Sequence, residues 1–387
     1  MDDQIAIGLL YQEKLGEYDF GPGHPFRGDR YKLFPSFLRD NLEEDSDFRI
    51  LQADLATDYD LRLICRQDYI DFTKEYYKAA NLGLTFSGQF SRFHSDDNLP
   101  LGQPGKLEEA ARFVVGQGKT ACNLVQTREY TKVVSIGGGL HHAKPSYGEG
   151  FCLYNDVAFC GLYLIEKYGL EKILILDTDA HAGNGTSEYF YGDPRVLFID
   201  LHQNPRTLYP GTGFVHQIGS GKGKGFTVNV PMPVGAGYDS YQWVFESVVD
   251  PLVQEFQPQI IIQNGGSDPH FADSLTMLGL PVKGFRMIGE KVRKMARICD
   301  GKVIALIASG YNKEVLPYAW LALISGLAGI NITVKEPKPM PQRYITDIAL
   351  SQTKQVIREV KHNFKDYWKC FQGCDDITNI NISNIEI

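Results

Sequence analysis

The sequence predicts one α/β domain with a mostly parallel open sheet, helices on its faces and a functional site at the carboxyl ends of the strands. Three observations predict it. Short apolar, β-branched runs recur along the first 335 residues. Helical stretches lie between them, and several runs end in glycines and ionisable side chains.

The strand candidates, in order, are "IAIGLL" from Ile5, "VVSIGGG" from Val133, "ILILDTD" from Ile173, "VLFIDLH" from Val196, "IIIQNGG" from Ile260 and "VIALIASG" from Val303. Their unbroken apolar character marks strands buried on both faces, as in a parallel sheet. "SYQWVFESVVDPLVQEF", from Ser240, has a helical period, with apolar residues at Trp243, Val244, Val248, Leu252 and Phe256. Residues 1–335 carry no internal repeat and read as one domain. Pro337, Pro339 and Pro341 then break the texture, and 336–387 reads as a helical extension with a polar tail, "DDITNINISNIEI". That extension is expected to be an appendage, dispensable for chemistry.

Composition excludes several classes. At 387 residues, with 43% hydrophobic and 22% charged, the chain suits a soluble globular protein. A net charge of −8 argues against direct nucleic-acid binding, which calls for a basic patch, and leaves room for a cationic ligand. The N-terminal apolar run is too short for a signal peptide, and no segment approaches the ~20 apolar residues of a membrane span. Seven scattered cysteines fit reduced thiols in a cytoplasmic protein, and Cys370 and Cys374 read as incidental.

The chemistry gathers where strands end, in "GGGLHHA", "LDTDAHAGNG", "QNGGSDPH" and "ASGYN". In open α/β sheets the ligand crevice lies beyond these carboxyl ends. Period-2 spacing puts Asp177, Asp179 and His181 on one face as their strand runs out. Carboxylates and imidazole suit Zn²⁺, whose catalytic sites take three protein ligands. Asp179 and His181 supply two, and Asp268 is the best-placed third. Read alone, Asp177 and Asp179 serve equally well as caps of the next helix. The adjacent His141 and His142 offer an acid and a base, or metal ligands. Tyr311 is a candidate donor to an oxyanion or a packed aromatic.

Taken together, "GGGLHHAKPSYGEGFCLYNDVA", "ILDTDAHAGNGTSEYFY", "LYPGTG", "NGGSDPH" and "SGYN" resemble, in order and spacing, the zinc-dependent histone deacetylase family. That family includes acetoin-utilisation-type and acetylpolyamine deacetylases on the arginase–deacetylase fold. The likeness runs from "GPGHPFRGDRY", near Gly21, to about residue 330. It implies one catalytic Zn²⁺ per chain on Asp179, His181 and Asp268, and a structural monovalent cation near Asp177. It also implies that His141 and His142 are the tandem histidines, with Asp177 and Asn184 as their partners, and that Tyr311 polarises the scissile carbonyl. Gly150, Phe151 and Tyr209 resemble the walls of an acyl-lysine tunnel, Arg30 the arginine beneath the site, and Asp97 a rim aspartate that grips substrate backbone.

Two departures stand out: Ala182 occupies a position where many relatives have histidine, and Asn184 replaces the aspartate of one branch. The resemblance implies deacetylation of N-acetyl-lysine in proteins, with acetylpolyamines or other small acylated amines as the alternative substrates. An arginase-like two-metal enzyme is disfavoured because Gly183 stands where that pattern needs a further aspartate. A non-catalytic acyl-lysine binding protein is the reading of another class.

Overall fold

The computed structural model describes residues 7–84 and 88–373. Eight strands form one sheet: β1 (Ile7–Leu10), β2 (Phe48–Leu51), β3 (Lys132–Ile136), β4 (Ile173–Asp177), β5 (Val196–Gln203), β6 (Thr227–Met232), β7 (Ile260–Gly266) and β8 (Val303–Ser309). Their order is β2-β1-β3-β8-β7-β4-β5-β6, and every neighbouring pair is parallel. The expected single parallel sheet is therefore the fold. Residues 5 and 6 of the first strand candidate lie outside the described residues.

The two strands that the sequence pattern did not reveal are the two edges. β2 is four residues long and exposes Arg49, so it lacks the apolar run of a central strand. β6 reads "TVNVPM", and its Asn229 and Pro231 interrupt the β-branched pattern. Proline is tolerated there because an edge strand can spare a ladder donor.

The main helices are α1 (Arg30–Arg39), α2 (Gln67–Asn81), α3 (Leu107–Gln126), α4 (Asp156–Tyr168), α5 (Asn184–Phe190), α6 (Tyr238–Val244), α7 (Asp250–Phe256), α8 (Val282–Met295), α9 (Leu316–Ala328) and α10 (Leu350–Phe364). α6 runs into α7 through a π turn at Phe245–Val249. Val244, Val248, Leu252 and Phe256 are buried as predicted, but Trp243 is 43% exposed, with Lys354 Nζ 4.3 Å from its ring centroid. A π turn holds one extra residue and so rotates the apolar stripe, which here also buries Phe245 and Val249. No helix among the described residues is long and apolar enough to cross a membrane.

The C-terminal helix is seated on the sheet edge. α10 packs against β6 and α6, with Ile357, Val360 and Phe364 buried. Asp347 accepts from the Gly237 and Ser240 amides at 3.0 and 2.7 Å, and so caps the N-terminus of α6. Trp368 Nε1 donates to the Gly225 carbonyl at 2.7 Å. Earlier in the segment, Glu336 pairs with His270, two residues beyond Asp268, at 2.9 Å and accepts from the Val282 amide at 2.8 Å. Cys374 and the polar tail lie outside the described residues.

The strand order explains where the site forms. β8 and β7 sit between β3 and β4, so the chains leaving β3 and β4 part and open a crevice over the centre of the sheet. The four strands that carry the singled-out motifs are the four central neighbours.

Candidate active site

The chain leaves β3 through Gly137 and Gly139, at φ 91° and 118°. Glycine is required at 139, because a Cβ there would overlap the Asn264 side chain. Buried Asp156, in the first turn of α4, accepts from the Gly139 amide at 2.9 Å and the Leu140 amide at 2.7 Å. The next two residues, His141 and His142, are thereby delivered to the crevice floor.

His141 Nδ1 lies 2.8 Å from Asp177 Oδ2. Burial works against an imidazolium there, but Asp177 and Asp179 outweigh it and hold the His141 pKa up to about 9. Asn264, on β7, donates to both Asp177 oxygens at 3.0 Å. His142 is different: burial and the neighbouring His141 and His181 push its pKa well below the ordinary value. Its Nδ1 lies 2.7 Å from Asn184 Oδ1, and Asn184 Nδ2 donates to Glu149 Oε1 at 2.6 Å.

Asp179 and His181 reach the crevice by a route other than the predicted strand face. β4 ends at Asp177. The Asp179 amide then donates to Asp177 Oδ1 at 3.1 Å, and the His181 amide to Asp179 Oδ1 at 2.8 Å. Two successive Asx turns, not strand period, carry the last two side chains inward.

Asp268, from beyond β7, meets them. His181 Nδ1 lies 3.1 Å from Asp179 Oδ1 and 3.0 Å from Asp268 Oδ2, and ligand atoms of the three residues fall within 4.8 Å of one another. All three are at most 9% exposed. Burial, then the charge of Asp179, pushes Asp268 up to about 7. The carboxylates overcome burial and hold His181 up to about 10. Two buried carboxylates and an imidazole this close fit a dication, which would compensate both charges.

Aromatic rings surround the cluster. Gly150 and Phe151 have φ of 60° and 64°, and a Cβ on Gly150 would overlap the His142 ring. The Phe151 centroid is 6.1 Å from Tyr311, and Tyr209, 41% exposed, stands 5.2 Å from His142. Tyr311 is 6.3 Å from His181, and its amide donates to Asp273 Oδ2 at 2.7 Å. Burial, with Asp268 nearby, pushes the Tyr311 phenol up, so it stays a donor. Arg30 is buried beneath, 4.0 Å over Phe26 and 5.5 Å over Tyr311, and donates to the Ala308 carbonyl at 2.9 Å. Asp97 accepts from the Gly150 amide at 2.9 Å, beside the Phe151 turn.

The thirteen residues singled out in the sequence are thus joined by contacts into one cluster beyond the central strands. Sequence reasoning missed Asn264, Asp156, Glu149 and Asp273. Asn264 carried a faint signal, being a polar residue within an apolar strand run. The other three sit in ordinary loop or helix-start contexts and carried none.

Sheet and strand-end side chains describe a parallel α/β fold with a candidate metal centre beyond the carboxyl ends of its central strands. The particular family follows: residues 24–327 match the family model described as "Histone deacetylase domain", and the chain belongs to that family. A protein of Archaeoglobus fulgidus named "Probable deacetylase" is 33% identical over 383 residues, 95% of this chain and 100% of its own. The "Acetoin utilization protein AcuC" of Staphylococcus aureus strain COL is 35% identical over 313 residues, 80% of this chain and 79% of its own. The crystal structure of the HDA15 HD domain shares the fold, with a TM-score of 0.79, 24% identity and coverage of 95% of this chain and 97% of that one. Membership implies an acetylated substrate and a metal cofactor, which the Asp179–His181–Asp268 cluster fits.

Proposed function

We propose that the protein deacetylates N-acetyl-lysine side chains in proteins, with one Zn²⁺ per chain on Asp179, His181 and Asp268. The observation that carries this is the convergence of those three donors within 4.8 Å, on a crevice floor shared with His142 and Tyr311. Bound there, Zn²⁺ supplies Lewis acidity toward the amide carbonyl and toward water.

The chain's own groups divide the remaining work. His142, kept neutral, takes the proton of the attacking water, and the His141/His142 pair returns it to the leaving amine. Of the two imidazoles His142 is the more readily neutral, and a dication held by the triad would disfavour protonation of both. The Tyr311 hydroxyl donates to the carbonyl oxygen as charge develops on it. Gly150, Phe151 and Tyr209 pass a slim, uncharged acyl-aminoalkyl chain, with Asp97 at the rim and Arg30 supporting Tyr311 from below. Asp177 and Asp200 are register partners and both buried, which supports a structural monovalent cation beside them.

Acetylpolyamines and other small acylated amines form the second reading, favoured by the net charge of −8. A matched screen of acetyl-lysine peptides, acetylpolyamines and longer acyl chains tests the assignment. Highest kcat/KM on the peptides supports it, and highest kcat/KM on acetylpolyamines replaces it with the second. Binding of acetyl-lysine peptides without turnover of any substrate would leave the non-catalytic binder.

A further inference from the structure

An asparagine is a poor determinant of a histidine tautomer. Its amide can rotate by half a turn and offer either an acceptor or a donor. With Oδ1 toward His142, Nδ1 must carry the proton and Nε2 keeps a lone pair. With Nδ2 toward His142, the reverse tautomer forms, and Nε2 can no longer act as a base. Something beyond Asn184 must choose.

The structure supplies it in Glu149. Its Oε1 lies 2.6 Å from Asn184 Nδ2 and 2.9 Å from Lys144 Nζ, and its side chain is only 14% exposed. Paired with an ammonium, a carboxylate only accepts. A flipped Asn184 would set two oxygens against each other at that separation. The ring of His142 is held from another side by Gly150, where only glycine fits against it. One short turn, Glu149–Gly150, therefore fixes both the ring and the amide that reads it.

We propose that Glu149 is a positioning residue that, through Asn184, fixes His142 as the Nδ1–H tautomer with Nε2 free. The consequence for turnover rests on the reading of His142 as the base. The tautomer itself does not, and it can be measured apart from catalysis.

The test is ¹⁵N NMR of the histidine side chains in the full-length protein, beside steady-state kinetics. Nδ1–H and Nε2–H imidazoles have distinct ¹⁵N signatures. Wild type should show His142 with the proton on Nδ1. Glu149→Ala should shift it toward Nε2–H and lower kcat roughly 10–100-fold, as loss of an outer hydrogen-bond partner typically does. Its KM should move less than about twofold, since ground-state binding is untouched.

Two further variants separate tautomer control from general disruption. In Glu149→Gln, Lys144 should orient the amide oxygen toward Asn184 and keep the wild-type tautomer. In Glu149→Ala/Asn184→Asp, a carboxylate accepts from Nδ1–H whichever way it turns, so the tautomer should return. An unshifted tautomer in Glu149→Ala, or no recovery in either rescue variant, overturns the proposal. A shifted tautomer with unchanged kcat would uphold it and sink the base role of His142 instead.

Discussion

Asn264 donates its side-chain amide to both oxygens of Asp177, at 3.0 Å each, and so clamps the carboxylate that carries His141. Both residues are at most 1% exposed, so water cannot take over that bond. Without it, Asp177 is freer to rotate and His141 loses its fixed orientation. Asn264→Ala should lower kcat roughly 10–100-fold, the usual cost of losing such an outer partner. KM should change little, while the loss of two buried bonds to a carboxylate should lower stability. Wild-type turnover in this variant would mean that β4 alone holds Asp177.

Tyr311 lies beside the Asp179–His181–Asp268 cluster, 6.3 Å from the His181 ring. A phenol that donates to an oxyanion matters most once charge has developed. Tyr311→Phe keeps the ring and its packing on Phe151 and Arg30. Removal of such a donor typically costs ~10²–10³ in rate. Turnover should fall by that factor while affinity for a substrate analogue stays within a few-fold. A rate within a few-fold of wild type would reduce Tyr311 to a packed aromatic.

Stability should respond to acid through His94. Burial holds its imidazole down to about 3, from an ordinary 6.5. A depressed folded-state pKa means the unfolded chain binds more protons between those values, so stability is lost as pH falls below 6.5. At pH 5 the loss is about 2 kcal/mol. Asp156, raised to about 7 chiefly by burial, works the other way over part of the range. The clean readout is the difference between wild type and His94→Phe in urea melts from pH 7.5 to 5. Wild type should lose more than the variant on acidification, and parallel curves would contradict the assignment.

The C-terminal helix should matter for stability more than for turnover. Phe364 is fully buried, and α10 lies on β6, two strands away from β4. Phe364→Ala should cost about 3–5 kcal/mol. A chain ending at Pro341 also loses the Asp347 cap and should unfold or aggregate at lower temperature. The rate per folded Phe364→Ala molecule should stay near wild type. An unchanged melting temperature would mean that α10 contributes nothing to the core.

The site was legible where chemistry contradicted context. Asp177, Asp179 and His181 at the end of an apolar strand, and two histidines after three glycines, are residues that a core excludes unless something compensates them. The central strands were legible for the converse reason, as continuous runs of Ile, Val and Leu. Edge strands β2 and β6 were hidden because short, partly polar edges carry little pattern. Trp243 was misplaced because a π turn breaks the helical period. Glu149, Asp156 and Asp273 take their meaning from partners that only the folded loops bring near. Asn264 was visible but mute, since its role depends on the register of β7 with β4.

Metal dependence is the most direct test of the Asp179–His181–Asp268 assignment. The measurement is elemental analysis of the purified protein, followed by chelator stripping and stepwise Zn²⁺ return with deacetylation of an acetyl-lysine peptide followed throughout. The expected result is one ion per chain, loss of turnover on stripping, and full recovery at one equivalent. Asp268→Ala should fail to retain the ion, because the remaining two donors cannot complete the three-ligand set. Full activity in metal-free protein, or a requirement for two ions per chain, would contradict the account.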